Sequence, residues 1–142
     1  MVVNAEALRM EKQNPPNTRR PTDAELMILR VLWHRGPSTV RQVHETLSVS
    51  QGTGYTTVLK LLQIMTDKGL VVRDETQRAH VYVSRLSEQR TQRQLLGDLV
   101  DRAFGGSSAK LVLQALSGRR ATLEELRDIR ALLDQLEGGD SK

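Results

Sequence analysis

SQGTGYTTVLKLL, residues 50–62, decides how the chain is read. Gly52 and Gly54 stand ahead of three polar residues, and an apolar helical pattern follows. The stretch is therefore either a loop that cradles a phosphate or the entry to a helix that reads something else. A dinucleotide loop needs a third glycine and a preceding strand, and a P-loop needs Gly-Lys-Ser/Thr; Tyr55, Thr56 and Thr57 supply neither. The helical reading has more behind it. Val58, Leu61, Leu62 and Met65 fall at i, i+3, i+4 and i+7, and Gly69 in DKGLV closes the run, so a helix is expected from about Gly54 to Lys68.

Upstream, PTDAELMILRVLWHRGP carries a capping box, Thr22 with Glu25, then Leu26, Leu29, Leu32 and Trp33, and stops at Gly36 and Pro37. A helix over 23–35 follows. STVRQVHETLS repeats the logic in a short second helix, with Ser38 or Thr39 as cap, Val40, Val43 and Leu47 on one face, and SVSQG as the loop after it. Downstream the period changes. LVVRDETQRAHVYVSRL places Val71 and Val72 before, and Val81, Tyr82 and Val83 after, a polar tip, which reads as a β-hairpin. Three helices bury little by themselves, and a hairpin covers the open side of their core. The expected fold is mainly α with a small β-hairpin: a winged helix-turn-helix domain over residues 21–86.

Beyond Leu86 the chain returns to helices. Ser87 caps a stripe of Leu95, Leu96, Leu99, Val100 and Phe104; a short helix spans 108–117; and Thr122 with Glu125 opens a last helix with Leu126, Ile129, Leu133 and Leu136 at 3, 4, 3 spacing. Residues 87–142 have no sheet and too few residues for a core of their own, so they are expected to pair with a second copy. Leu95, Leu99, Phe104, Leu111, Leu113, Leu126, Ile129, Leu133 and Leu136 are the candidate dimer contacts. Residues 1–20, polar, with Pro15 and Pro16 and ending in Arg19 and Arg20, are expected to form a mobile arm.

Composition narrows the function. Residues 1–86 carry 12 basic and 8 acidic side chains, whereas 87–142 carry 9 of each, so the surplus of +4 lies in the front part. A front that meets an anion and a neutral rear that pairs are the expected division of labour. The absence of cysteine rules out disulfides, Cys-ligated zinc and thiol catalysis. HETLS, residues 44–48, has Ser48 where a zinc-protease helix needs its second histidine, leaving His44 as a helix-surface residue and His34 as a cap near a helix end. No catalytic triad is spelled out, so no enzyme, metal or cofactor is expected. Neither a transmembrane run nor the order of a signal peptide is present, which places the chain in the cytoplasm without membrane insertion.

A helix entering the major groove of DNA reads base edges with its first turns. Val58 is the first buried position of the third helix, which leaves Thr53, Tyr55, Thr56, Thr57 and Lys60 to face outwards. Threonine hydroxyls bond bases or phosphates, threonine methyls touch the thymine methyl, and lysine pairs with a guanine edge or a phosphate. Gly52 and Gly54 let the backbone approach phosphate beside free helix-start amides. Arg73, Gln77, Arg78 and Arg85 make a basic wing, and Arg41 and Gln42 of the second helix add phosphate contacts. The competing reading is a winged-helix protein-interaction module that does not read DNA.

PTDAELMILRVLW, PSTVRQVHETL, GYTTVLKLLQIMTDKGLV and RAHVYV together resemble the BlaI/MecI/CopY family of penicillinase-type repressors, in wording and in order, over roughly residues 21–137. The resemblance implies a homodimeric winged-helix repressor on a palindromic operator, dimerised through its rear helices. Thr56, Thr57 and Val58 match the Thr-Val segment of the family's recognition helix, and Lys68 and Gly69 its Lys-Gly ending. Ile64 departs, since arginine is frequent there. The copper-responsive branch carries a tail cysteine cluster, which this chain lacks. In the antibiotic-responsive branch a membrane-bound sensor protease triggers cutting within Leu-Val-Leu-Asn-Phe. The matching stretch here is LVLQA, residues 111–115, with Gln114 and Ala115 at the candidate cleavage position. Its other reading, plain dimer core, is preferred.

Overall fold

The computed structural model describes residues 20–140, the side chains of 139 and 140 excepted, so the expected arm lies outside the described residues apart from Arg20. Among the described residues six helices and three strands follow in order: α1 (Asp23–Arg35), β1 (Ser38–Thr39), α2 (Val40–Gln51), α3 (Tyr55–Lys68), β2 (Val71–Asp74), β3 (Val81–Ser84), α4 (Glu88–Ala103), α5 (Ser108–Gly118) and α6 (Leu123–Asp140). They form two compact units that divide between Leu95 and Leu96, inside α4. The boundary expected from the sequence, between Leu86 and Ser87, falls just before that helix. Glu88, Thr91, Gln92 and Leu95 instead line a groove with Leu26, Met27 and Trp33 of α1, so the first turns of α4 belong to the front unit.

In the front unit the chain caps its helices as the sequence dictates. Thr22 Oγ1 accepts from the Glu25 amide at 3.2 Å, and the Thr22 amide donates to Glu25 Oε1 at 2.8 Å. Thr39, not Ser38, caps α2, in a second box closed by Gln42. Ser38 has another task. It is fully buried in β1, donates to the Gly36 carbonyl at 2.9 Å, and pairs with Tyr82, so the hairpin becomes a three-stranded antiparallel sheet of order β1-β3-β2. Helix α2 also runs further than expected, through SVSQ to Gln51, and Gly52 stops it with φ 65°. That left-handed geometry suits glycine, which has no Cβ to clash.

The core joins Ile28, Leu29, Val31 and Leu32 of α1, Val40, Val43 and Leu47 of α2, Val58, Leu62 and Met65 of α3, and Val71 and Tyr82 of the sheet. Each fully buried side chain of this kind contributes about 1.5–3 kcal/mol. The buried face of α1 is turned from the expected one: Ile28 is fully buried, while Leu26 and Trp33 are only partly so. The run LMILRVLW is apolar on nearly every side, and periodicity alone does not select the face. Trp33 instead serves the sheet, its indole N–H shared between Ser84 Oγ at 2.9 Å and the Leu86 carbonyl at 3.0 Å.

The rear unit holds the end of α4 together with α5 and α6. Gly105 and Gly106, both at positive φ, break the chain after α4, and Ser107 caps α5. Thr122 and Glu125 form the expected capping box at α6, with bonds of 2.9 and 3.0 Å. Among the described side chains of this unit only Val100 is buried. No helix among the described residues is long and apolar enough to cross a membrane.

Candidate nucleic-acid interface

Helix α3 is held from one side. Val58, Leu62 and Met65 are fully buried, whereas Tyr55, Thr56, Thr57 and Lys60 are exposed and Thr53 is half-buried in the turn before them. The expected outward set thus shares one short segment, on the first turns of a helix anchored through its other face. Gly54 is the N-cap and supplies no side-chain bond, so the first-turn amides of α3 have no side-chain acceptor. Its φ of −77° is open to any residue, and nothing lies within 4 Å of where a Cβ would be. The two glycines therefore differ: Gly52 is explained by the end of α2, whereas at Gly54 neither the backbone angle nor crowding calls for glycine.

Tyr55 has a neighbour that sequence reading assigned elsewhere. The His44 ring of α2 meets the Tyr55 ring edge-on, with centroids 5.7 Å apart and planes at 80°. Such T-shaped pairs are favourable and fix ring orientation. His44 is therefore not a plain helix-surface residue; it steadies the first side chain of α3.

The second helix and the wing divide their expected contacts. Arg41 is exposed at the start of α2. Gln42 is half-buried, and its side-chain oxygen accepts from the Thr39 amide at 3.0 Å, so that atom is spent on the cap. At the wing tip Gln77 and Arg78 are exposed. Arg73 is ion-paired with Glu75 at 2.6 Å, which lowers the charge it offers to an anion. A hydrogen bond with Tyr82, and then the Glu75 charge, raise its pKa above the ordinary arginine value against the cost of desolvation. The tip is braced by Asp74, which accepts from the Thr76 hydroxyl at 2.7 Å and the Thr76 amide at 2.9 Å and so sits below the usual carboxylate range. Arg85 lies at the base of the wing, where its Nε donates to the Gly69 carbonyl at 3.1 Å. Through that bond the side chain ties the end of β3 to the end of α3.

Of the candidate pairing residues, Leu113 is 67% exposed, Leu99, Leu133 and Leu136 are about half exposed, and Phe104, Leu111, Leu126 and Ile129 are half-buried. Leu96, Val112, Leu116, Leu123 and Leu132, which the sequence reading did not assign to pairing, add to the exposed apolar surface. Leu95 lines the groove of the front unit. Gln114 and Ala115 are exposed within α5, in helical backbone.

Three helices, a three-stranded sheet and a helix face open to solvent define a winged helix-turn-helix protein of the DNA-binding type. The family model for the penicillinase repressor matches residues 21–135. This chain belongs to the penicillinase repressor (BlaI/MecI) family and is a DNA-binding transcriptional regulator of the BlaI type, not an enzyme. It is 34% identical over 118 residues to the transcriptional regulator BlaI of Mycobacterium tuberculosis, in strains CDC 1551/Oshkosh and ATCC 25618/H37Rv, covering 82% of this chain and 85% of the relative. Among solved structures, the DNA-binding domain of the repressor BlaI matches 50% of this chain and 87% of its own, with 24% identity and a TM-score of 0.46.

Proposed function

We propose that the chain is a sequence-specific repressor that binds a palindromic operator as a homodimer in the cytoplasm. In this reading the first turns of α3 enter the major groove: Thr56, Thr57 and Lys60 reach base edges, Tyr55 and Thr53 flank them, and the first-turn amides meet a phosphate. Arg41 and the wing residues Gln77 and Arg78 hold the backbone, with Arg73 and Gln42 in lesser roles because their polar groups already have partners. The observation that carries the reading is the contrast along α3, exposed at Thr56, Thr57 and Lys60 and fully buried at Val58, Leu62 and Met65.

The rear helices pair two copies through Leu99, Phe104, Leu111, Leu113, Leu126, Ile129, Leu133 and Leu136. Extended apolar surface of this kind on a small unit marks association. Two recognition helices then stand about 34–36 Å, one helical turn, or a multiple of that apart. The segment of residues 111–115 serves this interface. Induction by a membrane-bound sensor protease would require cutting at Gln114 and Ala115 inside α5, and helical backbone is a poor protease target until it unfolds locally.

A binding titration against DNA from around the chain's own gene, with random duplex as competitor, tests the proposal. Lys60→Ala should weaken operator binding by about 1–3 kcal/mol if the lysine reads a base. Arg78→Ala should reduce the magnitude of the salt slope by about one phosphate. Binding that random duplex competes away entirely, with both variants unchanged, would favour a protein-interaction module instead.

A further inference from the structure

The end of α3 remote from the proposed DNA contacts is tied down by two charged side chains. Lys68, its last residue, donates to Glu25 Oε1 at 2.8 Å, and the same oxygen accepts the Thr22 amide at 2.8 Å. Glu25 is 2% exposed and Lys68 28%. One residue on, the carbonyl of Gly69 accepts from Arg85 Nε, and the Arg85 amide donates to the Leu70 carbonyl at 3.0 Å. The capped start of α1, the end of α3 and the base of the wing therefore meet at one joint. The leading end is held by no ion pair: Gly54 gives no side-chain cap, Tyr55 meets the His44 ring edge-on, and core packing begins at Val58.

We infer that Glu25 is a positioning residue for DNA recognition: through Lys68 it sets the angle at which α3 presents Thr56, Thr57 and Lys60. The inference rests on the DNA-reading function proposed above. A buried ion pair is a weak device for stability, since an apolar pair of similar volume does as well or better; its best-attested use is to fix one arrangement among several. Here the arrangement is that of a rod about 20 Å long, seated on the core through Val58, Leu62 and Met65, so a tilt about its middle moves both ends. A shift of about 1 Å at Lys68 becomes a comparable shift at Thr56. Hydrogen bonds to base edges fail over that distance, because donor and acceptor must stay within about 2.7–3.2 Å. Attraction to phosphates changes little, since its range is a Debye length of about 8–10 Å. Loosening the joint thus removes discrimination while leaving non-specific affinity.

The test uses the full chain, the tightest duplex selected from a random pool, and a scrambled duplex at the same salt. Glu25→Leu combined with Lys68→Met replaces the pair by apolar groups, and Glu25→Gln keeps size and acceptor but loosens the lysine. With folding monitored by circular dichroism, the double variant should lose about tenfold in the ratio of selected to scrambled affinity, roughly one base contact, with scrambled affinity unchanged. Glu25→Gln should fall between it and wild type. A folded variant that keeps the wild-type ratio overturns the inference, as does a parallel loss on both duplexes, or failure of both variants to fold, either of which makes the pair a stability element. If the wild-type chain itself prefers no duplex, the DNA-reading function has failed instead.

Discussion

Thr22 with Glu25 and Thr122 with Glu125 are the same device at the start of two helices, and their geometries nearly coincide, with amide-to-carboxylate bonds of 2.8 and 2.9 Å. Their surroundings do not. Glu25 is buried and ion-paired with Lys68, whereas Glu125 is exposed and held below the ordinary glutamate value only by the Thr122 amide and hydroxyl. The helices they begin diverge likewise: α1 buries Ile28, Leu29, Val31 and Leu32 within its own unit, while α6 leaves Leu132, Leu133 and Leu136 half exposed. A capping box and an apolar stripe fix where a helix starts and which face is sticky. What covers that face is decided by the rest of the unit, and in the proposed function the rear unit's cover is a second copy.

The sharpest way to break this contrast is to cut one leucine in each unit. Leu62→Ala, at a fully buried site, should cost about 2–5 kcal/mol in denaturant unfolding. Leu133→Ala should cost under about 0.5 kcal/mol in dilute monomer, because little surface is buried there. Equal losses at high dilution would erase the distinction. Reversing the rear surface is the next largest change: Leu133→Arg with Leu136→Arg should abolish self-association in sedimentation velocity, while thermal melting of the front unit stays put. Operator affinity should then fall about 100-fold or more, as two linked sites become one. A finer cut compares the caps. Thr22→Ala and Thr122→Ala each remove a bond worth about 1 kcal/mol, and only the first should also disturb Lys68, visible in its Nζ resonance. The smallest effect is in acid. Asp74 and Glu125 have lowered pKa values, so their contribution is complete above the ordinary 3.8 and 4.5 and is lost as pH falls through the lowered values. The acid titration of the Thr76 amide resonance should accordingly have its midpoint below 3.8; a midpoint above it would deny the Asp74 brace.

Much of the fold was legible in local signals. The bounds of α1 and α3 follow from Thr22, Gly36 and Gly69, and the hairpin from its β-branched flanks. What escaped is what depends on partners far along the chain. Strand β1 is two residues long and exists because Tyr82 and Val81 lie opposite Ser38 and Thr39. Glu25 reads as a cap, and nothing nearby announces a lysine 43 residues on. Arg85 reads as wing charge until the Gly69 carbonyl is beside it. On α3, the exposure of Thr56, Thr57 and Lys60 was legible because helical spacing sends them away from Val58. His44 was not, since its role comes from Tyr55 in the next helix. For α2 the sequence puts a loop at SVSQG, whereas the helix runs to Gln51 and stops at the left-handed turn of Gly52.

Hydroxyl-radical footprinting of the full chain on its selected operator bears most directly on the central claim, that exposed α3 residues read DNA and rear helices place two copies on it. The account predicts two protected segments whose centres lie about 34–36 Å, or a multiple of that, apart, both lost together when Thr57 and Lys60 are changed to alanine. A single protected segment, or a pair that survives those substitutions, would contradict it.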